Sequence, residues 1–492
     1  MKMLKRLLVF LLCLLLAVPL CGCGDTDKAY IYFELPELPS TLDPQTASSD
    51  SELIVIRNIQ EGLLRKNKDG EIVCGIAESY QKSGLTYTFK LRKNAKWSNG
   101  EPITANDFVF ALQRAVSPKT NAPFVTRLYS VKNAKKISNG KLNVNKLGVT
   151  AIDDYTLKIT LSNNDDKFLE TLTTSVAMPC NEKFFNQSAG KYGLFGDNIL
   201  SSGSYVLTRW RKEAFGIRLY RNEDYKGFAK AKNAAVFITC NDDETPLEKL
   251  QKNSIDMAFI DTAQTQNAIA SGLKTYEFQN ICWVLTLGDD FRPNMRKSLA
   301  MLVGGEVYGD DLPIGYTSAT SLFPSVFGKT PVTGMTGYEP KRAKELYLNE
   351  LEYYDDNKFP SDVTLKYYDD GNIKNIITDI VGHWQSQLSA FVNIEAEPNL
   401  ENLTPQLTKQ TLKMSVFPVR ADSRDSAEYL KQFGILASGK ALTEIQKEML
   451  KSNNIIPILF QNTVISYSPA LKNVSGELGN GYIDFAFIVK EE

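Results

Sequence analysis

Residues 85–114 read LTYTFKLRKNAKWSNGEPITANDFVFALQR, and the reading of this stretch decides the fold. Leu85, Tyr87, Phe89 and Leu91 alternate with Thr86, Thr88, Lys90 and Arg92, the period of two expected of a half-buried strand. Asn99-Gly100 marks a turn, because glycine accepts positive φ at no steric cost. Thr104 is placed to cap a helix, and Asp107 three residues on favours the positive end of its dipole. Phe108, Ala111, Leu112 and Ala115 then recur at i, i+3, i+4 and i+7, and Ser117-Pro118 closes the helix. The stretch is a strand, a tight turn and a helix.

Working outward, residues 155–161 repeat the alternation of a half-buried strand, and residues 205–210 and 215–220 read as a pair of strands around a short turn. Residues 247–252 are helical in pattern and 255–260 form a mostly apolar strand. Further on, 363–368 is a strand and 372–388 an amphipathic helix, with Ile373, Ile376, Ile377, Ile380, Val381, Trp384 and Leu388 on one face. Residues 392–397 are a second strand. Strand–helix–strand of this length is a βαβ unit and implies a parallel sheet with covered faces. Leu412, Met414 and Val416 suggest one more strand, and 455–460 a last buried one. The class is α/β.

A chain of 492 residues is too long for one compact core and divides into two or three domains. Lys2, Lys5 and Arg6 precede the apolar run 7–20, which is too short to span a bilayer and has the charged and apolar regions of a secretory signal. Leu20-Cys21-Gly22-Cys23 resembles a bacterial lipobox. That resemblance implies a lipoprotein signal peptide over residues 1–22, cleavage before Cys23, and acyl chains on Cys23 that anchor an extracytoplasmic protein to the cell membrane. Removing the signal leaves 53 basic against 57 acidic residues, a net of −4. No concentrated basic face is present, so a nucleic-acid partner is not expected.

Cys74, Cys180, Cys240 and Cys282 remain after cleavage and sit in apolar strings. Three pairings are possible, and free buried thiols are the reading taken. His383 is the single histidine and flanks the apolar stripe of residues 372–388, a structural or surface position. A single histidine in that position argues against Ser-His-Asp or Cys-His catalysis and against a histidine-rich metal site, while counting leaves a Ser–Lys dyad or a carboxylate pair open. With no Cys/His cluster, no calcium loop and no glycine-rich loop in a phosphate-binding context, neither metal nor cofactor is expected. The acidic doublets, such as Asp153-Asp154 and Asp289-Asp290, read as turn residues.

The stretch 85–114 resembles the signature of the bacterial extracellular solute-binding proteins of the peptide-transporter class. Leu42-Asp43-Pro44, Glu61-Gly62-Leu63-Leu64, Gly75-Ile76-Ala77-Glu78-Ser79 and Gly203-Ser204-Tyr205 extend the resemblance in the family's order. It implies a two-lobed, hinged periplasmic-binding-protein-like fold with an extra inserted domain. One discontinuous lobe would comprise residues 25–65, 178–278 and 466–492, the inserted domain 66–177, and the opposing lobe 279–465. It also implies a monomeric, non-enzymatic receptor that captures short peptides and delivers them to the permease and ATPase of an ABC importer. Residues 420–429, RADSRDSAEY, resemble the family segment whose aspartate pairs with the peptide's α-amino group, a role that falls on Asp422. Val419, Ser423 and Ser426 stand where that segment carries tryptophan, tyrosine and proline. This drift in the later half supports a second reading, a sensor or receptor for a non-peptide solute.

Overall fold

The computed structural model describes residues 29–491, apart from 211–215, 241–243, 309–311, 329–333, 410, 422–425, 436–439 and 478–481. In chain order, strand β1 (Tyr30–Leu35) leads to helix α1 (Asp50–Ile59). An antiparallel group follows: β2 (Ala77–Ser83), β3 (Thr86–Leu91), helix α2 (Ala105–Val116), β4 (Val149–Asp153) and β5 (Thr156–Thr160). The chain returns through β6 (Tyr205–Trp210), β7 (Ile217–Arg221), β8 (Ala235–Cys240) and β9 (Met257–Ile260). It continues through β10 (Lys274–Thr286), β11 (Tyr316–Ser318), β12 (Thr364–Tyr368), α3 (Ile373–Leu388), β13 (Asn393–Glu397), β14 (Ser415–Arg420), α4 (Ser426–Lys431) and β15 (Ile455–Tyr467).

The quoted stretch folds as its pattern demands. Tyr87, Phe89 and Leu91 of β3 are buried, whereas Leu85 lies in the turn before the strand and is exposed. Gly100 takes φ +85° in the turn. At the start of α2 the Thr104 amide donates to Asp107 at 2.7 Å, and Phe108, Ala111, Leu112 and Ala115 are all buried. Strands β2–β3–β5–β4 form a separate four-stranded antiparallel sheet, and its apolar face packs on α2 in a core of its own.

The other named strands make one eleven-stranded sheet in the order β13-β12-β14-β10-β15-β9-β1-β8-β7-β6, with β11 paired to β15. Its middle is two long antiparallel strands, β10 and β15, that run through both halves. On one side β15 pairs with β9, and on the other β10 pairs with β14. Their ladder slips at Asn280, between Gln279 and Ile281, and again between Trp283 and Val284, opposite Pro457, which has no amide hydrogen to give.

The βαβ unit forms as read: β12 and β13 are parallel, and α3 buries Ile373, Ile376, Ile377, Ile380, Trp384 and Leu388. Val381 is only half-buried. The covered faces do not extend to β13, the outermost strand, whose residues are exposed or half-buried. An edge strand has a neighbour on one side only, and helix α3 does not reach across it. All four described cysteines are free; Cys180, Cys240 and Cys282 are buried, and Cys74 is half-buried. His383 is half-buried with its ring edge-on to Tyr338, 6.4 Å between centroids.

Candidate ligand cleft

Strand direction decides where chemistry can gather. β1 and β9 are parallel and end at Leu35 and Ile260. β12 and β14 are parallel to each other and end at Tyr368 and Arg420. In the central register Ile260 lies opposite Val464, while Arg420 lies opposite Ile281, which itself faces Gln461. The two sets of carboxyl ends therefore meet at the middle of β15 from opposite directions. Ligands of open α/β sheets bind outside the carboxyl ends of strands, where connections diverge. A cavity of about 450 Å3 occupies that place, a size usual for small-molecule sites.

Four strand ends supply charged walls. Glu37 follows β1, Asp261 follows β9, Asp370 follows β12, and Arg420 closes β14. Asp50 and Ser51 enter from the first turn of α1, and residues 461–464 of β15 complete the lining. Arg420 Nη2 donates to Asp50 Oδ2 at 2.6 Å across the cavity, joining residues 370 apart in sequence. Asp261 Oδ1 accepts the Ala263 amide at 2.8 Å. Asp370 Oδ1 accepts the amides of Asn372 and Ile373, each at 3.0 Å, and its other oxygen accepts the Tyr316 hydroxyl. Burial, with Asp370 beside it, pushes the Tyr316 phenol well above its ordinary range, so it remains a donor.

Below the cavity, the slip at Asn280 is itself hydrogen-bonded. The Asn280 carbonyl accepts the Ala421 amide at 2.7 Å, its side-chain amide donates to the Ala421 carbonyl at 3.3 Å, and its Oδ1 accepts from Thr463 Oγ1 at 2.9 Å. The bulge thus holds the end of β14 and Ala421, one residue short of Asp422. Asp422 and Cys23 both lie outside the described residues. Arg420 belongs to the RADSRDSAEY segment and does reach the cavity. Glu37, Asp261 and Asp370 escape a motif search. Their signal is an acid placed just after the end of a parallel strand.

Several of the strings that carried the family resemblance serve as joints instead. Asp43 pairs with Arg114 at 2.5 Å, and the Arg114 guanidinium stacks over Phe185 at 4.1 Å. Glu61 pairs with buried Arg65 at 2.7 Å; a Cβ on Gly75 would lie 2.5 Å from the Gly62 carbonyl. A larger cavity of about 580 Å3 lies by Lys191 and Trp210 at one hairpin's end, away from the junction of the two halves. Among the described residues lining the central cavity there is no His, Cys or Lys. This is a surface for holding a ligand by hydrogen bonds and charge.

Two facing sets of strand ends, joined by two continuous strands, define a two-lobed binding protein. The chain matches the model described as "Bacterial extracellular solute-binding proteins, family 5 Middle" over residues 71–439, and it belongs to that family of binding proteins, which are not enzymes. It is 32% identical over 272 residues to the oligopeptide-binding protein OppA of Bacillus subtilis (strain 168), covering 52% of this chain and 50% of that protein. It is 27% identical over 362 residues to the dipeptide-binding protein of Lactococcus lactis subsp. cremoris (strain MG1363), covering 68% and 66%. The chain thus spans half to about two thirds of these relatives' length. The structure of Listeria monocytogenes OppA bound to peptide superposes with a TM-score of 0.74 at 22% identity, over 94% of this chain and 99% of that one. The fold is that of the large periplasmic binding proteins. Among the described residues no helix is long and apolar enough to cross a membrane.

Proposed function

We propose that this chain is a cell-surface receptor that captures a short peptide between its two lobes and passes it to the permease of an ABC importer. Residues 25–65, 178–278 and 466–492 form one lobe, 279–465 the other and 66–177 the inserted domain, and the acylated Cys23 holds a monomer at the membrane. The observation that supports this most is the convergence of four strand ends on one cavity beside the paired strands β10 and β15. A cleft divided between two lobes closes over its ligand, and main-chain hydrogen bonds with water-filled side-chain space suit peptides of varied sequence. In this reading Asp422 receives the peptide's α-amino group, and no bond in the peptide is broken.

Native mass spectrometry of protein purified without unfolding tests the ligand directly: a co-purified peptide is expected. Peptides with a free amine should raise the melting temperature, and N-acetylated copies should lose most of that effect, since they leave a buried carboxylate unpaired. Equal binding of free and blocked peptides would remove Asp422 from the site. Cys23→Ala should release the protein from the membrane fraction; retention would end the anchor assignment.

A further inference from the structure

Among the described residues lining the cavity, Glu37, Asp50, Asp261 and Asp370 are acidic and Arg420 alone is basic. Arg420 is already bound to Asp50 at 2.6 Å. The other three acids come from three separate strand ends, so the geometry of one turn does not account for their meeting. The hydrogen bonds given above for Asp261 and Asp370 come from amides and a phenol. Neutral donors satisfy lone pairs and leave the net charge in place. Glu37 and Asp261 are exposed and Asp370 is half-buried, so salt screens the field of these like charges but no neighbouring cation among the described lining residues cancels it. A second observation points into the same space. Ser51 is 1% exposed and lines the cavity, and its Oγ has no hydrogen-bond partner among the described residues. A buried hydroxyl left unpaired is unfavourable, and a polar ligand group reaching it would relieve that.

We propose that the cleft selects a multivalent organic cation, a short peptide bearing basic side chains or a polyamine, whose positive groups face Glu37, Asp261 and Asp370. This rests on the cleft being the ligand site and adds a charge requirement to it. A peptide without ionised side chains is a zwitterion with no net charge. It would strip water from the three acids while its own carboxylate added a fourth negative group. Basic side chains reverse that balance through charge-assisted hydrogen bonds.

Isothermal titration of the full chain in detergent with trilysine, trialanine, triglutamate and spermidine tests this. At low salt trilysine should bind at least about tenfold more tightly than trialanine, and triglutamate should give no heat. The advantage should narrow at about 0.5 M salt, where exposed charges are screened. Glu37 is exposed, so Glu37→Lys should keep its fold while lowering trilysine affinity about tenfold and narrowing or reversing its advantage over trialanine. Asp261→Asn should move the ratio in the same direction. Spermidine matching trilysine assigns the charge to polyamines, and trilysine binding without spermidine assigns it to peptides; either supports the proposal. Trialanine binding as tightly as trilysine overturns the charge requirement and leaves the cleft in place. Binding of none of the four overturns both.

Discussion

Asp107 is the residue of α2 that answers most directly to pH. Its carboxylate accepts the Thr104 amide at 2.7 Å and the Trp97 indole at 3.5 Å, yet it is buried. Burial wins: it raises the Asp107 carboxyl from 3.8 to about 6, against those hydrogen bonds. Folded chain therefore holds this proton more tightly than unfolded chain. The stability it contributes is fully present below about pH 4 and is lost as pH rises through about 6. Asp107→Asn keeps an oxygen for the Thr104 amide and cannot ionise. At pH 7.5 the variant should match or exceed the parent in denaturant midpoint, by up to about 3 kcal/mol, and the gain should vanish near pH 4. A difference between the two that stays constant from pH 4 to 7.5 would show that Asp107 titrates at its ordinary value.

At the scale of elements, β3, α2 and the β12–α3–β13 unit are legible in sequence because one face of each meets a core and the other meets water. The central strands are not. Residues 455–460 read as a short apolar strand, but β15 runs on through Gln461, Asn462 and Thr463 to Tyr467. Those polar residues pass the cavity at mid-strand, where no apolar face is required. β10 hides in the same way, since its period breaks at the Asn280 slip. The cleft inherits this illegibility: Glu37, Asp261 and Asp370 lie far apart in sequence, and only strand order brings them together. Asn280 is fully buried and joins β10 to Thr463 and Ala421. Asn280→Leu removes the side-chain bonds and leaves the Thr463 hydroxyl without that acceptor, which should lower unfolding stability by about 1–3 kcal/mol. The sharper readout is hydrogen exchange: the Ala421 amide should exchange faster, while amides of the β2–β5 sheet, which has its own core, should not change.

Across the whole molecule, two ion pairs among the described residues tie the halves together over the cleft. Arg420–Asp50 is partly exposed and worth little on its own. Arg127 and Glu428 are different. They lie 301 residues apart, in a short helical turn beside the small sheet and in α4, and form two hydrogen bonds at 2.9 and 2.8 Å. Arg127 also stacks over Phe124 at 4.7 Å, and both charged side chains are largely buried. In an open form both ions would be hydrated, so the pair acts only on the equilibrium between open and closed. A ligand that binds the closed form gains affinity in proportion to how populated that form is. Removing one partner of a buried pair leaves the other uncompensated. Glu428→Gln should therefore raise the Kd for peptide about 5- to 30-fold, equivalent to about 1–2 kcal/mol, chiefly through faster dissociation. Small-angle scattering of the ligand-free variant should report a larger radius of gyration, whereas Arg127→Met combined with Glu428→Gln should recover part of the lost affinity because no buried charge is left alone. Unchanged dissociation in Glu428→Gln would mean that the pair forms equally in both states and plays no part in closure.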